Sequence, residues 1–133
     1  MKKILVAYDG GEPAHKALST AAEMARTFGA TLSVISVIPV HPGRAPVDPW
    51  DDASVHAREL LDAKKLLRDQ GLEAELLEPA GDPARTIERI ADEGGFDTIV
   101  LGSRGLRTID RMLQGSVSEH VATHAQATVV IAR

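Results

Sequence analysis

The sequence predicts an α/β fold: a doubly wound, five-stranded parallel sheet with helices on both faces. Three observations predict it. Five short apolar runs alternate along the chain with four stretches whose apolar residues recur at helical spacing. Strands joined in this way lie parallel, because each crossover is right-handed and carries its helix back over the sheet. The 133 residues are 44% apolar, enough for one continuous core, so residues 1–133 are read as a single domain. Only 3% are aromatic, which leaves Val, Ile, Leu and many Ala residues to fill the interior and suits close packing of helices on a sheet.

Taken in order, residues 4–8 form a continuous apolar run, as in a strand buried on both faces, and Asp9-Gly10-Gly11 breaks it. The helix that follows carries Ala14, Ala17, Leu18, Ala21, Ala25 and Phe28 on one stripe, with Pro13 in its first turn and Gly29 just after its end. Residues 31–38 are rich in β-branched side chains and stop at Pro39, a second buried strand. Four prolines and one glycine between positions 39 and 49 mark a long surface connection, with Trp50 as its packing anchor. Asp51 or Asp52 caps the next helix, which runs past Leu60, Leu61, Leu66 and Leu67 to a stop at Gly71. The acidic cluster of Asp48, Asp51 and Asp52 is read as that helix start rather than a cation site. Residues 73–79 alternate polar with apolar, the pattern of a half-exposed strand at a sheet edge. Asp82-Pro83 opens a third helix through Ile87, Ile90 and Ala91, closed by Gly94-Gly95. Residues 98–101 are another buried strand. The last helix, beginning at Gly115-Ser116-Val117, turns Val117, Val121 and Ala125 inward and leads to a strand at 128–132.

Composition excludes several functions. A net charge of −4 and a pI near 5.7 provide no basic surface for DNA or RNA, and the few aromatic residues leave little to stack on bases, so no nucleic-acid partner is expected. The absence of cysteine removes disulfides, thiolate metal sites and cysteine nucleophiles. The apolar run near the N-terminus is too short for a signal peptide, and no stretch is long enough to span a bilayer. A cytoplasmic protein with no membrane association is expected.

In a doubly wound sheet, ligands bind beyond the carboxyl ends of the strands, where strand order reverses. Asp9, Ile38 and Gly102 stand at such ends. After the fourth strand the chain reads Gly102-Ser103-Arg104-Gly105, then nine residues, then Gly115-Ser116-Val117. Gly102 and Gly105 allow close backbone approach and positive φ. Gly115 and Ser116 would offer amides and a hydroxyl at a helix N-terminus, whose dipole favours an anion. Arg104, Arg107 and Arg111 can each add a charge-assisted bond. The segment is a phosphate cradle, yet it lacks the Gly-Lys-Ser/Thr ending of a P-loop, and Asp9-Gly10-Gly11 is no dinucleotide fingerprint. Asp9 is open to two readings, a site acid or the hub of an Asx-type turn.

The spacing Gly-x2-Gly-x9-Gly-Ser in Gly102, Gly105, Gly115 and Ser116 resembles that of the ATP-binding universal stress proteins. The likeness covers nearly the whole chain: the opening strand ending in Asp-Gly, Ser36-Val37-Ile38-Pro39, Gly81-Asp82-Pro83, and Thr98-Ile99-Val100-Leu101-Gly102-Ser103. Gly11 stands where serine is common in that family, and Ala127 where many members carry proline. The resemblance implies an adenine nucleotide alpha hydrolase-like sheet of order 3-2-1-4-5 with ATP between its first and fourth strands. Adenine would rest near Ala7, Asp9 and Leu101 and meet the backbone of Val37, with Gly102 approaching the ribose. Gly105, Gly115, Ser116 and Val117 would line the phosphates, and Mg2+ would be held mainly by those phosphates. Asp9 would contact the nucleoside or position a metal-bound water. The apolar last strand has an uncovered outer edge, which together with the resemblance predicts a homodimer along that edge.

No lysine lies in the cradle and no paired carboxylates flank it, so fast hydrolysis is not expected and no catalytic residue is assigned. The chain is read as an ATP-binding regulatory protein of stress response. The alternatives are a slow ATPase or nucleotidyl-transfer enzyme, and an interaction module with a vestigial site. His120 and His124 stand one helical turn apart, but the sequence identifies no third ligand, so they are read as surface residues and no metal site is assigned. His15, His41 and His56 have no visible constellation.

Overall fold

The computed structural model describes residues 1–39, 53–102 and 111–133. The elements in order are β1 (Lys3–Ala7), α1 (Glu12–Phe28), β2 (Thr31–Ile35), β3 (Ile38–Pro39), α2 (Ala53–Asp69), β4 (Ala74–Leu77), β5 (Ala80–Gly81), α3 (Pro83–Glu93), β6 (Thr98–Gly102), α4 (Arg111–His124) and β7 (Thr128–Ala132). Trp50 and the acids Asp48, Asp51 and Asp52 fall outside the described residues, as does His41.

Each boundary has a local cause. Helix α1 starts after Gly11 with a proline in its first turn, and Gly29 ends it in the left-handed region with its N–H donated to Ala25 O. At α3, the Asp82 carboxylate accepts the Arg85 N–H at 3.1 Å, an N-cap, and Pro83 follows at the first helical position.

The main sheet is parallel throughout, in the order β4-β2-β1-β6-β7. Counted among themselves, these five strands have the 3-2-1-4-5 order. The half-exposed β4 lies at one edge and β7 at the other. Side chains alternate between the two faces. On one face Ile4, Val6 and Tyr8 pack with α1 and with Leu60, Ala63 and Leu67 of α2. On the other, Leu5, Ile35, Ile99 and Leu101 pack with Ala84, Ile87 and Ala91 of α3 and Val121 of α4. The start of β1 is fastened to β6 by Asp97, whose carboxylate accepts the Lys2 and Lys3 N–H groups at 2.8 and 3.1 Å. The Lys2 bond, with the Thr98 hydroxyl next, holds that carboxyl below its ordinary range.

Three expectations need correction. The second strand leaves the main sheet after Ile35. Ser36 N–H still reaches Leu77 O, but Ile38 N–H reaches Pro79 O, and Ile38–Pro39 pairs with Ala80–Gly81 in a separate two-stranded sheet. Phe28 is 56% exposed instead of completing the α1 stripe, where Ala22 is buried. A helix of 17 residues is about 25 Å long and a strand of five about 17 Å, so the last turn of α1 overhangs the sheet. The third concerns α4, which begins at Arg111 and not at Gly115. The run Arg111-Met112-Leu113-Gln114 consists of good helix formers, and it carries the helix one turn toward its N-terminus.

Among the described residues, no helix is long and apolar enough to cross a membrane.

Candidate functional site

The carboxyl ends of all the parallel strands share one rim, and β1 lies between β2 and β6. The chain leaves β1 toward α1 and β2, while β6 sits on the other side and continues toward α4 and β7. Strand order therefore reverses between β1 and β6, the place at which doubly wound sheets form a ligand crevice.

Register carries the candidate residues to that crevice. Val6 pairs with Val100 and Ala7 with Ile35, so Ala7 is level with Leu101 while Asp9 and Val37 lie beyond their strand ends. Ala7, Val37 and Val117 are half-buried and pack against the same apolar cluster as the buried Leu101, on the α3 and α4 face. Residues separated by 110 positions in sequence are thus brought to one side of one sheet end. Walls of this kind suit the flat apolar surface of a base, with an acid at the rim.

Asp9 is buried, and its Oδ1 accepts the Gly11 N–H at 2.9 Å. This is the Asx contact, and it closes β1 onto α1 through Gly10 at φ +82°, a conformation open to glycine at little cost. Gly102 corrects the expectation of positive φ. It is a regular strand residue, and a Cβ built on it would lie 2.6 Å from the Pro13 carbonyl oxygen. Its lack of a side chain lets β6 pass against the first turn of α1, the turn that the Asp9 contact anchors.

Arg104, Gly105 and Arg107 lie outside the described residues. For Arg111, Gly115 and Ser116 the structure describes the helical backbone only. Gly115 and Ser116 stand inside the helix, so the amides at its N-terminal end belong to the residues from Arg111 onward.

Other polar groups meet in ways that spacing alone did not reveal. On the α1 and α2 face, the Tyr8 hydroxyl and His15 Nε2 are hydrogen-bonded at 2.7 Å, and the two rings stack at 5.3 Å. Burial, then the Asp62 and Asp9 carboxylates, push the Tyr8 phenol up to about 12, so it remains protonated through the neutral range. Ser36 and His56 are both buried, with Oγ and Nδ1 2.6 Å apart, and Glu59 Oε2 lies 3.9 Å from the same nitrogen. Glu88 of α3 pairs with His120 of α4 at 2.7 Å, and a ring nitrogen of His124 lies within 4.8 Å of both. One legible signal was the separation of those two histidines by four residues, but the third group stands 32 positions from His120 and only helix packing supplies it.

The profile of the Universal stress protein family matches residues 1–133. Universal stress protein YxiE of Bacillus subtilis is 32% identical, with 98% of each chain covered. A universal stress protein from Archaeoglobus fulgidus, solved in complex with dAMP, superposes with a TM-score of 0.75 at 27% identity, covering 100% of this chain and 98% of that one. A universal stress protein solved in complex with cAMP superposes at 0.78 and 23% identity, over 99% of this chain and 97% of the other, a likeness of fold. Matched from residue 1 to residue 133 and 32% identical to a member along nearly its whole length, the chain belongs to the universal stress protein family.

Proposed function

We propose that this chain is an ATP-binding regulatory member of its family, acting in stress response with little or no hydrolysis. The crevice at the reversal of strand order carries the reading: Ala7, Val37 and Leu101 form apolar walls beside Asp9, and Gly102 leads into the glycine-rich segment. The complex of a related protein with dAMP supports an adenine nucleotide as the ligand class. Adenine rests against Ala7 and Leu101 and meets the Val37 backbone, while Gly102 leads toward the ribose. The phosphates are lined by Gly105, Gly115, Ser116 and Val117, with Arg104 adding charge. Use of the Gly115 and Ser116 amides requires the preceding turn of α4 to open. Glycine at 115 lowers that cost by about 1 kcal/mol relative to alanine. Mg2+ bound with ATP is held mainly by the phosphates, whose charge it neutralises. The only lysines are Lys2, Lys3, Lys16, Lys64 and Lys65, so none in the segment polarises a γ-phosphate.

The test is to denature freshly purified protein and identify the released small molecule by mass spectrometry, for the native chain and for Gly115→Val. ATP is expected in the native protein. Its affinity should fall at least about tenfold in the variant, since one lost charge-assisted hydrogen bond is worth about 1.5–3 kcal/mol. Equal ATP content in both proteins refutes the role given to Gly115; no nucleotide in either, and no thermal shift with ATP and magnesium, refutes the function.

The same reading includes a homodimer along β7, whose edge position leaves ladder groups available and whose Ile131 is 36% exposed. Light scattering at micromolar protein should report twice 14.2 kDa. A monomer mass across the dilution series rejects the pairing.

A further inference from the structure

We infer that Glu88, His120 and His124 form a binding site for a borderline divalent transition metal, with Zn2+ the best fit, at the contact between α3 and α4. One ligand atom from each residue lies within 4.8 Å of the other two. His120 Nδ1 and Glu88 Oε1 are 2.7 Å apart, and the two imidazoles stack with centroids 4.1 Å apart and planes at 20°. The contact is already tight: the Glu88 side chain is 14% exposed and that of His120 37%.

Hydrogen bonding sets the chemistry. The ionised carboxylate of Glu88 only accepts, so His120 Nδ1 is the donor in that pair. His124 Nδ1 donates to the backbone oxygen of His120 at 2.9 Å, a bond that in a neutral imidazole puts the lone pair on Nε2, the form a metal takes. Bonds of about 2.0–2.1 Å to a tetrahedral zinc place its ligands about 3.4 Å apart. The Glu88–His120 pair, 2.7 Å apart, therefore opens by about 0.7 Å, and the remaining separations, none above 4.8 Å, close by about 1.4 Å at most. The metal replaces the proton bridging Glu88 and His120, which moves to Nε2 of the same ring. Two imidazoles and one carboxylate select zinc over magnesium, which prefers an all-oxygen shell, and water completes the coordination. Because the ligands come from two helices, the ion ties α3 to α4.

Calorimetric titration with ZnCl2 of the full chain, dialysed against EDTA after any co-purified nucleotide has been removed, reads this site separately from the nucleotide crevice. About one Zn2+ per chain is expected, with a visible d–d spectrum when Co2+ is used instead and no competition from millimolar Mg2+. His120→Ala and His124→Ala should each weaken binding on the order of tenfold to a hundredfold, and Glu88→Gln at least about tenfold. His15→Ala should leave it unchanged. Circular dichroism verifies that each variant folds. Undiminished binding in the His120→Ala/His124→Ala double variant, or no saturation near one equivalent in the native chain, overturns the site; native affinity in Glu88→Gln overturns the three-ligand assignment.

Discussion

Gly102→Val should lower the stability of the protein by about 1–3 kcal/mol or more, the usual cost of forcing atoms into a packed interior. The added Cβ alone would sit 2.6 Å from the Pro13 carbonyl oxygen, 2.8 Å from its carbon and 2.9 Å from Pro13 Cβ. Two of those atoms are backbone and the third belongs to a rigid ring, so no flexible side chain can swing aside. Either β6 shifts out of register between β1 and β7, or the first turn of α1 lifts and strains the Gly11 N–H bond to Asp9. Both routes deform the crevice. A urea titration should show a lower midpoint at unchanged slope. A midpoint equal to that of the native chain would mean that the approach of Gly102 to Pro13 is not tight in solution.

Leu67→Ala should cost about 2–5 kcal/mol, whereas Leu61→Ala should change stability by no more than about 0.5 kcal/mol. Leu67 is fully buried in the cluster beneath α1 and α2, and Leu61 is 62% exposed. Truncating the first removes apolar area and leaves a cavity that neighbours on the sheet cannot fill by collapsing; truncating the second removes a side chain already in water. The same urea measurement compares them. Equal losses in the two variants would show that α2 is rotated from the orientation described.

Sequence left that orientation undetermined. Leu60, Leu61, Leu66 and Leu67 form two adjacent pairs, and helical spacing alone allows the stripe to pass through more than one member of each. The sheet and α1 select Leu60 and Leu67. Phe28 is a related case, since it continues the α1 periodicity past the point where there is sheet to cover. By contrast, Pro13, Gly29, Asp82-Pro83 and Gly94 were legible as helix boundaries because each acts on its own few residues through φ or a missing donor.

The candidate site divides along the same line. Asp9 and Gly102 were visible as strand-end residues, since a buried parallel strand is an apolar run and its end is where the run breaks. That Ala7, Val37, Leu101 and Val117 share one apolar cluster depends on strand order and register, which depend on how four helices cover two faces. The start of α4 illustrates the limit of motif reading. Gly115-Ser116 looks like a helix beginning, yet four good helix formers precede it and the backbone hydrogen bonds begin with them.

The sequence alone determined the alternation of strand and helix, hence the doubly wound class, and the likeness of its glycine spacing to one family, because both are encoded in residues close together along the chain. Tertiary structure alone decided that Gly102 is a glycine because α1 leaves no room for a Cβ, and that Glu88 stands beside His120. Those are distances between segments, set by the packing of helices on a sheet, and no local pattern of residues records them.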